Sequence, residues 1–314
     1  MGMFNSSNKG CVRKLFGGCF SVLLLFVTIV ALLSSIEFPE FDFQLNEKVE
    51  SGYLIDMDST SSDKKILTTF EWKFVASDFS KRKYSLSFKL LESEVQNALQ
   101  LIERIGRMSL QELGLNPSLY DADPDTRAEY VWVRIYNLVY TNSFHQMKSI
   151  TSKFNDLFKI QSLNSKDRVL FVISFVQNIK YDRPGGVLDL MAPLATLAKK
   201  FGDCDTKAIL LYVLLERMGI DCAMMWSQHY KHAMLGVRIS TRGDYKKYNG
   251  KKYYFLETTY PGWAIGELPP DFKNKRFWYI SEIDKEESGK LFDFDRDNSN
   301  NSTNRNNKPS PARK

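Results

Sequence analysis

At 314 residues, with 43% apolar and 13% aromatic content, the chain can bury a core without disulfide staples and is too apolar for a disordered polymer. Its formal net charge of +6 disperses 43 basic residues among 37 acidic ones. No basic stripe forms, which argues against nucleic acid as a partner.

The first element in chain order is the charge-free run LFGGCFSVLLLFVTIVALLSSI at 15–36. About 20 apolar residues suffice to span a bilayer as a helix. Lys9, Arg13 and Lys14 precede the run and Glu37, Glu40 and Asp42 follow it, so the positive-inside bias keeps residues 1–14 cytoplasmic and exports the rest. A cleaved signal peptide is the rival reading, but its apolar region is usually shorter and LLSSIEF is a poor cleavage site. MGMFNS also fits the short myristoylation pattern through Gly2 and Ser6. The expectation is a single-pass membrane protein whose soluble body is periplasmic or extracellular.

Residues 37–64 are polar with little sustained period and read as a stalk. TFEWKFV then places Phe70, Trp72 and Phe74 on one face at a period of two, and YSLSFKL does the same with Tyr84, Leu86, Phe88 and Leu90. A β-hairpin is the simplest reading. Ser93 and Gln96 form a capping-box pattern before Val95, Ala98, Leu99, Ile102 and Ile105 at helical spacing. Asp123-Pro124 opens a second helix that includes AEYVWVRIYNLVY, a third is expected from about Phe144 to Phe158, and a fourth from about Lys166 to Ile179. KYDRPGG breaks the pattern, PLATLAKK gives a short proline-started helix ended by Gly202, and Gly219 stops the next, over about Asp205–Met218. Ala208, Ile209, Leu211, Tyr212, Leu214 and Leu215 make that helix apolar over much of its surface, so it belongs inside a domain.

From Cys222 the pattern turns to strand, in CAMMWS, HAMLGVRIS and KKYYFLETT. Asn249-Gly250 is a tight-turn signal. A two-residue hairpin there leaves His232 past the end of the next strand, whereas a loop from about Ser240 to Asn249 sets His232 opposite Glu257. The asparagine-rich tail, 286–314, cannot bury a core.

Cys11 and Cys19 belong to the anchor region, so two cysteines enter the body. A helix between Cys204 and Cys222 separates them by about 20 Å, while a disulfide needs Cα atoms within about 7 Å; both are expected to be free thiols. Cys204 sits at a helix start after Asp203, where the dipole and free amides favour a thiolate and can hold an oxyanion. His232 begins one strand and Glu257 ends its neighbour, so a Cys–His–carboxylate triad in chain order is available.

GDCDTKAILLYVLLERMGI, HAMLGV and YYFLETTYPGWAIGELP, with FVQNIKYD and PLATLAKKFGDCD upstream, resemble the transglutaminase-like superfamily of papain-like cysteine enzymes, particularly its bacterial membrane-anchored members. The resemblance covers about residues 165–285. It implies an α+β fold in which a nucleophile helix packs on an antiparallel sheet, here preceded by an α/β N-terminal region at 65–163 and the transmembrane helix. It implies Cys204 as nucleophile, His232 as general base and acid, and Glu257 as the orienting carboxylate, where an aspartate is commoner. Gln177 and Tyr181 are its candidates for a second oxyanion donor. The implied activity of the 164–285 domain is acyl transfer on peptide or side-chain amides through a Cys204 thioester, resolved by water in a cysteine protease or amidase. Transfer to an amine in a transglutaminase, or an idle fold serving as a cell-surface scaffold, are the alternatives. No cofactor is implied.

Blander roles compete for the same residues. Cys222 reads as apolar filler and His145 as a solvated helix residue. His229 and His232 near a cysteine lack a zinc spacing, so no metal site is expected. Glu257 would also suit a plain strand end, and Trp263 and Trp278 a core instead of a cleft.

Overall fold

The β-hairpin expected from the period-two pattern is the spine of the N-terminal half: β3 (Lys65–Val75) pairs with β4 (Lys81–Leu91) in one unbroken antiparallel register from Lys65 opposite Leu91 to Val75 opposite Lys81. The computed structural model describes residues 48–49, 53–56 and 62–283, all in the unit that starts at Glu47. The apolar run 15–36 and the tail 286–314 lie outside them. Among the described residues no helix is long and apolar enough to cross a membrane.

Two strands come from the segment read as a stalk. β1 (Lys48–Val49) and β2 (Tyr53–Asp56) run parallel to β4 along one edge, Lys48 opposite Arg82 and Tyr53 opposite Leu86. Asp56 is further tied by Lys65 at 2.8 Å. So short a strand carries too little alternation to be read as one.

Six helices follow among the described residues: α1 (Glu92–Gly106), α2 (Pro124–Gln146), α3 (Lys148–Ile160), α4 (Ser165–Gln177), α5 (Pro193–Lys199) and α6 (Cys204–Arg217). Three starts or stops differ from the sequence expectation. β4 runs straight into α1, so Leu91 stands at the N-cap with no side-chain cap, and Ser93 lies inside the helix with its amide donating to Asp63. α2 continues to Gln146 and breaks at one residue, the fully buried Met147, so α3 begins later than Phe144. Lys200, in the left-handed region at φ 66°, ends α5. Gly202 belongs instead to β6 (Phe201–Gly202), beside β5 (Lys180–Tyr181), where a Cβ would come within 2.5 Å of Thr206 Cγ2. Asp123 caps α2 as expected, accepting from Asp125 and Thr126.

Trp72 joins the halves. Its indole meets the rings of Phe171 at 5.2 Å and Phe175 at 5.3 Å, and its Nε1 donates to Ser174 Oγ at 3.1 Å, all on α4. Phe154 from α3 closes on the same rings. One apolar cluster therefore runs from the hairpin through α4 into α6, whose residues Ala208 to Leu215 are all fully buried.

The C-terminal sheet has the order β11-β7-β8-β10-β9, with β7 (Cys222–Ser227), β8 (His232–Val237), β9 (Tyr245–Tyr248), β10 (Lys251–Leu256) and β11 (Tyr279–Ser281), each pair antiparallel. Asn249-Gly250 is a two-residue turn, at φ 46° and 75°, but it joins β10 to the edge strand β9. β8 reaches the other side of β10 through residues 238–244. The expected loop from Ser240 to Asn249 is thus corrected, because Tyr245–Tyr248 has its own strand partner. That link also crosses residues 262–268 with no room to spare: Asp244 N donates to Gly266 O at 2.7 Å, and a Cβ on Gly243 (φ 121°) would fall 2.2 Å from the same oxygen.

Candidate active site

The extended β6 delivers Asp203 to the N-cap of α6, where its Oδ1 accepts from Thr206 N at 3.0 Å and Cys204 becomes the first helical residue. Cys204 is 6% exposed, and its sulfur faces β8: the amides of Ala233 and Asp205 point at it, and its S–H lies 3.6 Å from Asp205 Oδ2. Cys204 and Cys222 are both free and buried.

The electrostatics correct one expectation. Burial, followed by the carboxylates of Asp205 and Asp203, pushes the Cys204 thiol well up, and the two amides oppose this without overcoming it. The helix start alone does not leave a resting thiolate. Burial, reinforced by Asp205, also pushes Asp203 up to about 6. Asp205 is raised by burial despite the hydrogen bond it accepts from Tyr136. The carboxylate and sulfur atoms of Asp203, Cys204 and Asp205 lie within 4.8 Å of one another, but both carboxylates are engaged as acceptors, and such crowding by itself assigns no cation.

His232 opens β8. Its Nε2 lies 2.8 Å from Glu257 Oε2, with side chains 11% and 2% exposed. Phe272 stacks on the imidazole at 4.6 Å and the fully buried Trp278 meets it edge-on. The pair is not directly opposite across the strands: with Leu256 opposite Leu235, the register carries Glu257 level with Met234, one diagonal step from His232. The remaining oxygen, Glu257 Oε1, accepts from Thr259 N at 2.8 Å and from Thr259 Oγ1 at 2.6 Å. Burial is the largest influence on this carboxyl and pushes it up, yet the bonds from His232 and Thr259 together outweigh it and hold the group below its ordinary value.

Cys204 and His232 line one cleft of about 440 Å³, with Trp226, Tyr181 and Trp132 among its walls. Tyr181 stacks on Tyr260, and burial, with Cys204 and Asp203 nearby, raises its hydroxyl to about 12, so it stays a donor. Gln177, the other oxyanion candidate, does not reach the cleft: its Nε2 donates to Glu257 O at 2.8 Å and Trp263 O at 2.9 Å, which uses both its N–H groups. His229 is exposed and stacks on Phe277, and His145 is also exposed.

Sequence reasoning passed over Lys207 and Thr259. Lys207 is wholly buried, and its ammonium donates to Gln177 O, Ile179 O and Thr259 O at 3.0, 2.7 and 2.7 Å. The signal was available, since Lys207 is the one charge between Thr206 and Leu215 in an otherwise apolar helix. Thr259 carried none, because its role depends on how the chain turns after β10.

No protein-family model and no curated protein matches the chain. Among solved structures it is similar to LapG of Legionella pneumophila, at 17% identity over 62% of this chain and 94% of that one, with a TM-score of 0.26. It is also similar to a candidate cysteine protease of Cytophaga hutchinsonii, at 13% identity over 69% of this chain and 73% of that one, with a TM-score of 0.28.

Proposed function

We propose that the protein is a thiol-dependent acyl-transfer enzyme with a papain-like, transglutaminase-like core, acting as a cysteine protease or amidase on peptide or protein amides. The buried His232–Glu257 pair, set beside a cleft that also holds the Cys204 sulfur, is the observation that carries this reading. Glu257 occupies Nε2, so Nδ1 is the ring nitrogen left to take the thiol proton. With the thiol proton passed to His232, the sulfur attacks the amide carbonyl. The oxyanion would meet the amides at the start of α6 and the Tyr181 hydroxyl. Collapse expels the amine, which His232 protonates, and leaves a thioester on Cys204; water, deprotonated by the same imidazole, releases the acid.

The uncharged run 15–36 behind Lys9, Arg13 and Lys14 supports the further reading that the enzyme is anchored by a single helix and works outside the cytoplasm. The test is incubation of the protein with a labelled peptide library, with and without an amine acceptor, followed by mass spectrometry. A covalent acyl adduct on Cys204 and product release, both absent from Cys204→Ala, are expected. Release that survives Cys204→Ala would overturn the proposal.

A further inference from the structure

Lys207 lies three residues after Cys204, one turn further along the same helix. An ammonium has three N–H groups, and all three are taken by carbonyls: Gln177 O on the last residue of α4, Ile179 O two residues further on, and Thr259 O beyond β10. The Gln177 carbonyl, on the last residue of α4, carries the negative end of a helix dipole. A neutral amine would leave one carbonyl unserved, so the arrangement selects the cation although burial pulls Lys207 down to about 7, against the Glu257 charge. A leucine would fill this volume without burying a charge, so packing alone does not account for the residue.

What Lys207 holds leads to the site. Thr259, gripped at its carbonyl, gives both its N–H and its hydroxyl to Glu257 Oε1, and Glu257 Oε2 holds His232. Gln177 grips the carbonyl of Glu257 itself. Residues 257–259 are therefore pinned from α4 and α6 at once.

We propose that Lys207 is a positioning residue: by fixing Thr259 it sets the carboxylate of Glu257, and through it the imidazole of His232, relative to a sulfur borne on its own helix. The helix that presents the nucleophile also fixes the reach of the acid. This rests on the assignment of Cys204, His232 and Glu257 as a working triad.

The experiment measures the iodoacetamide alkylation rate of Cys204 across pH, by mass spectrometry of the full chain. The variants are Lys207→Met, Thr259→Val and Glu257→Gln, with each of the first two combined with the third. Lys207→Met is expected to slow alkylation about tenfold and to alter its pH profile, yet to change the rate less than about twofold once Glu257→Gln is present, as for groups acting in one chain. Thr259→Val, which keeps the volume and removes one donor, is expected to show a smaller loss with the same cancellation. Equal losses in both backgrounds would overturn the inference, as would a wild-type rate and profile in Thr259→Val. Should Lys207→Met not fold, the Thr259→Val pair decides alone. If His232→Gln and Glu257→Gln leave the rate unchanged, the triad itself fails; if they lower it while the other two variants do not, the inference alone fails.

Discussion

His232 Nε2 and Glu257 Oε2 meet at 2.8 Å across a diagonal of the sheet, between strands whose directly opposite residues would have been closer. The diagonal gives the glutamate its reason. Its extra methylene spans the offset while the second oxygen still receives both donors of Thr259. Glu257→Asp is expected to keep the fold and to lose about 10²-fold in turnover or Cys204 alkylation, the scale on which a displacement of about 1 Å counts. Steady-state kinetics and a circular dichroism spectrum check it, and an aspartate variant of wild-type rate would contradict the geometric argument.

Stability should respond to pH in two opposite ways. Glu257, held below its ordinary 4.5, adds stability that is complete above that value and is lost as pH falls through its lower folded value. Asp203, raised to about 6 from 3.8, adds stability that is complete below 3.8 and is lost as pH rises through about 6. Asp203→Asn keeps a capping side chain and removes the second effect. Its melting temperature should therefore match wild type near pH 4 and exceed it near pH 7, by the equivalent of roughly 2–3 kcal/mol. Thermal melts at the two pH values settle the sign.

The same carboxylate bears on reactivity. Removing the Asp203 charge relieves one of the groups that hold the Cys204 proton on, so Asp203→Asn should speed alkylation of Cys204 several-fold near neutral pH while leaving Cys222, 1% exposed, slow. Peptide-level quantification of both adducts over time is the measurement. An unchanged or lower Cys204 rate would show that the carboxylate does not control the thiol.

The aromatic seam between the hairpin and α4 predicts a shared fate for the two halves of the sequence. Trp72→Ala empties the space against Phe171 and Phe175 and removes a bond to Ser174, at an expected cost of about 3–5 kcal/mol. Denaturation followed by tryptophan fluorescence and by far-UV circular dichroism should give one coincident transition, shifted as a whole. Two transitions, of which only one moves, would show that the seam does not couple them.

Much of this was legible wherever a residue's neighbours in space are its neighbours at a fixed period. Phe70, Trp72 and Phe74 announced their strand, Asp123-Pro124 announced a cap, and the interval between Cys204 and Cys222 announced two free thiols. Strand register was not legible, because Asn249-Gly250 fixes a turn without naming the strand on its far side, and β9 took the place expected of β8. The capping box at Ser93 failed because β4 continued into α1 with no loop to cap. The electrostatics of Cys204 were hidden for a different reason: the helix start is a local fact, whereas burial and the fold's hold on Asp203 and Asp205 are not.

The passage of Gly243 against Gly266 limits how this surface can vary. Peripheral loops ordinarily accept extra residues with little penalty, but here two peptide units touch where any side chain would intrude. Gly266 N also donates to Phe255 O, so the crossing is stitched to the strand that ends one residue before Glu257. Lengthening either loop would mean rebuilding the joint, so insertions are more readily accommodated elsewhere on the surface.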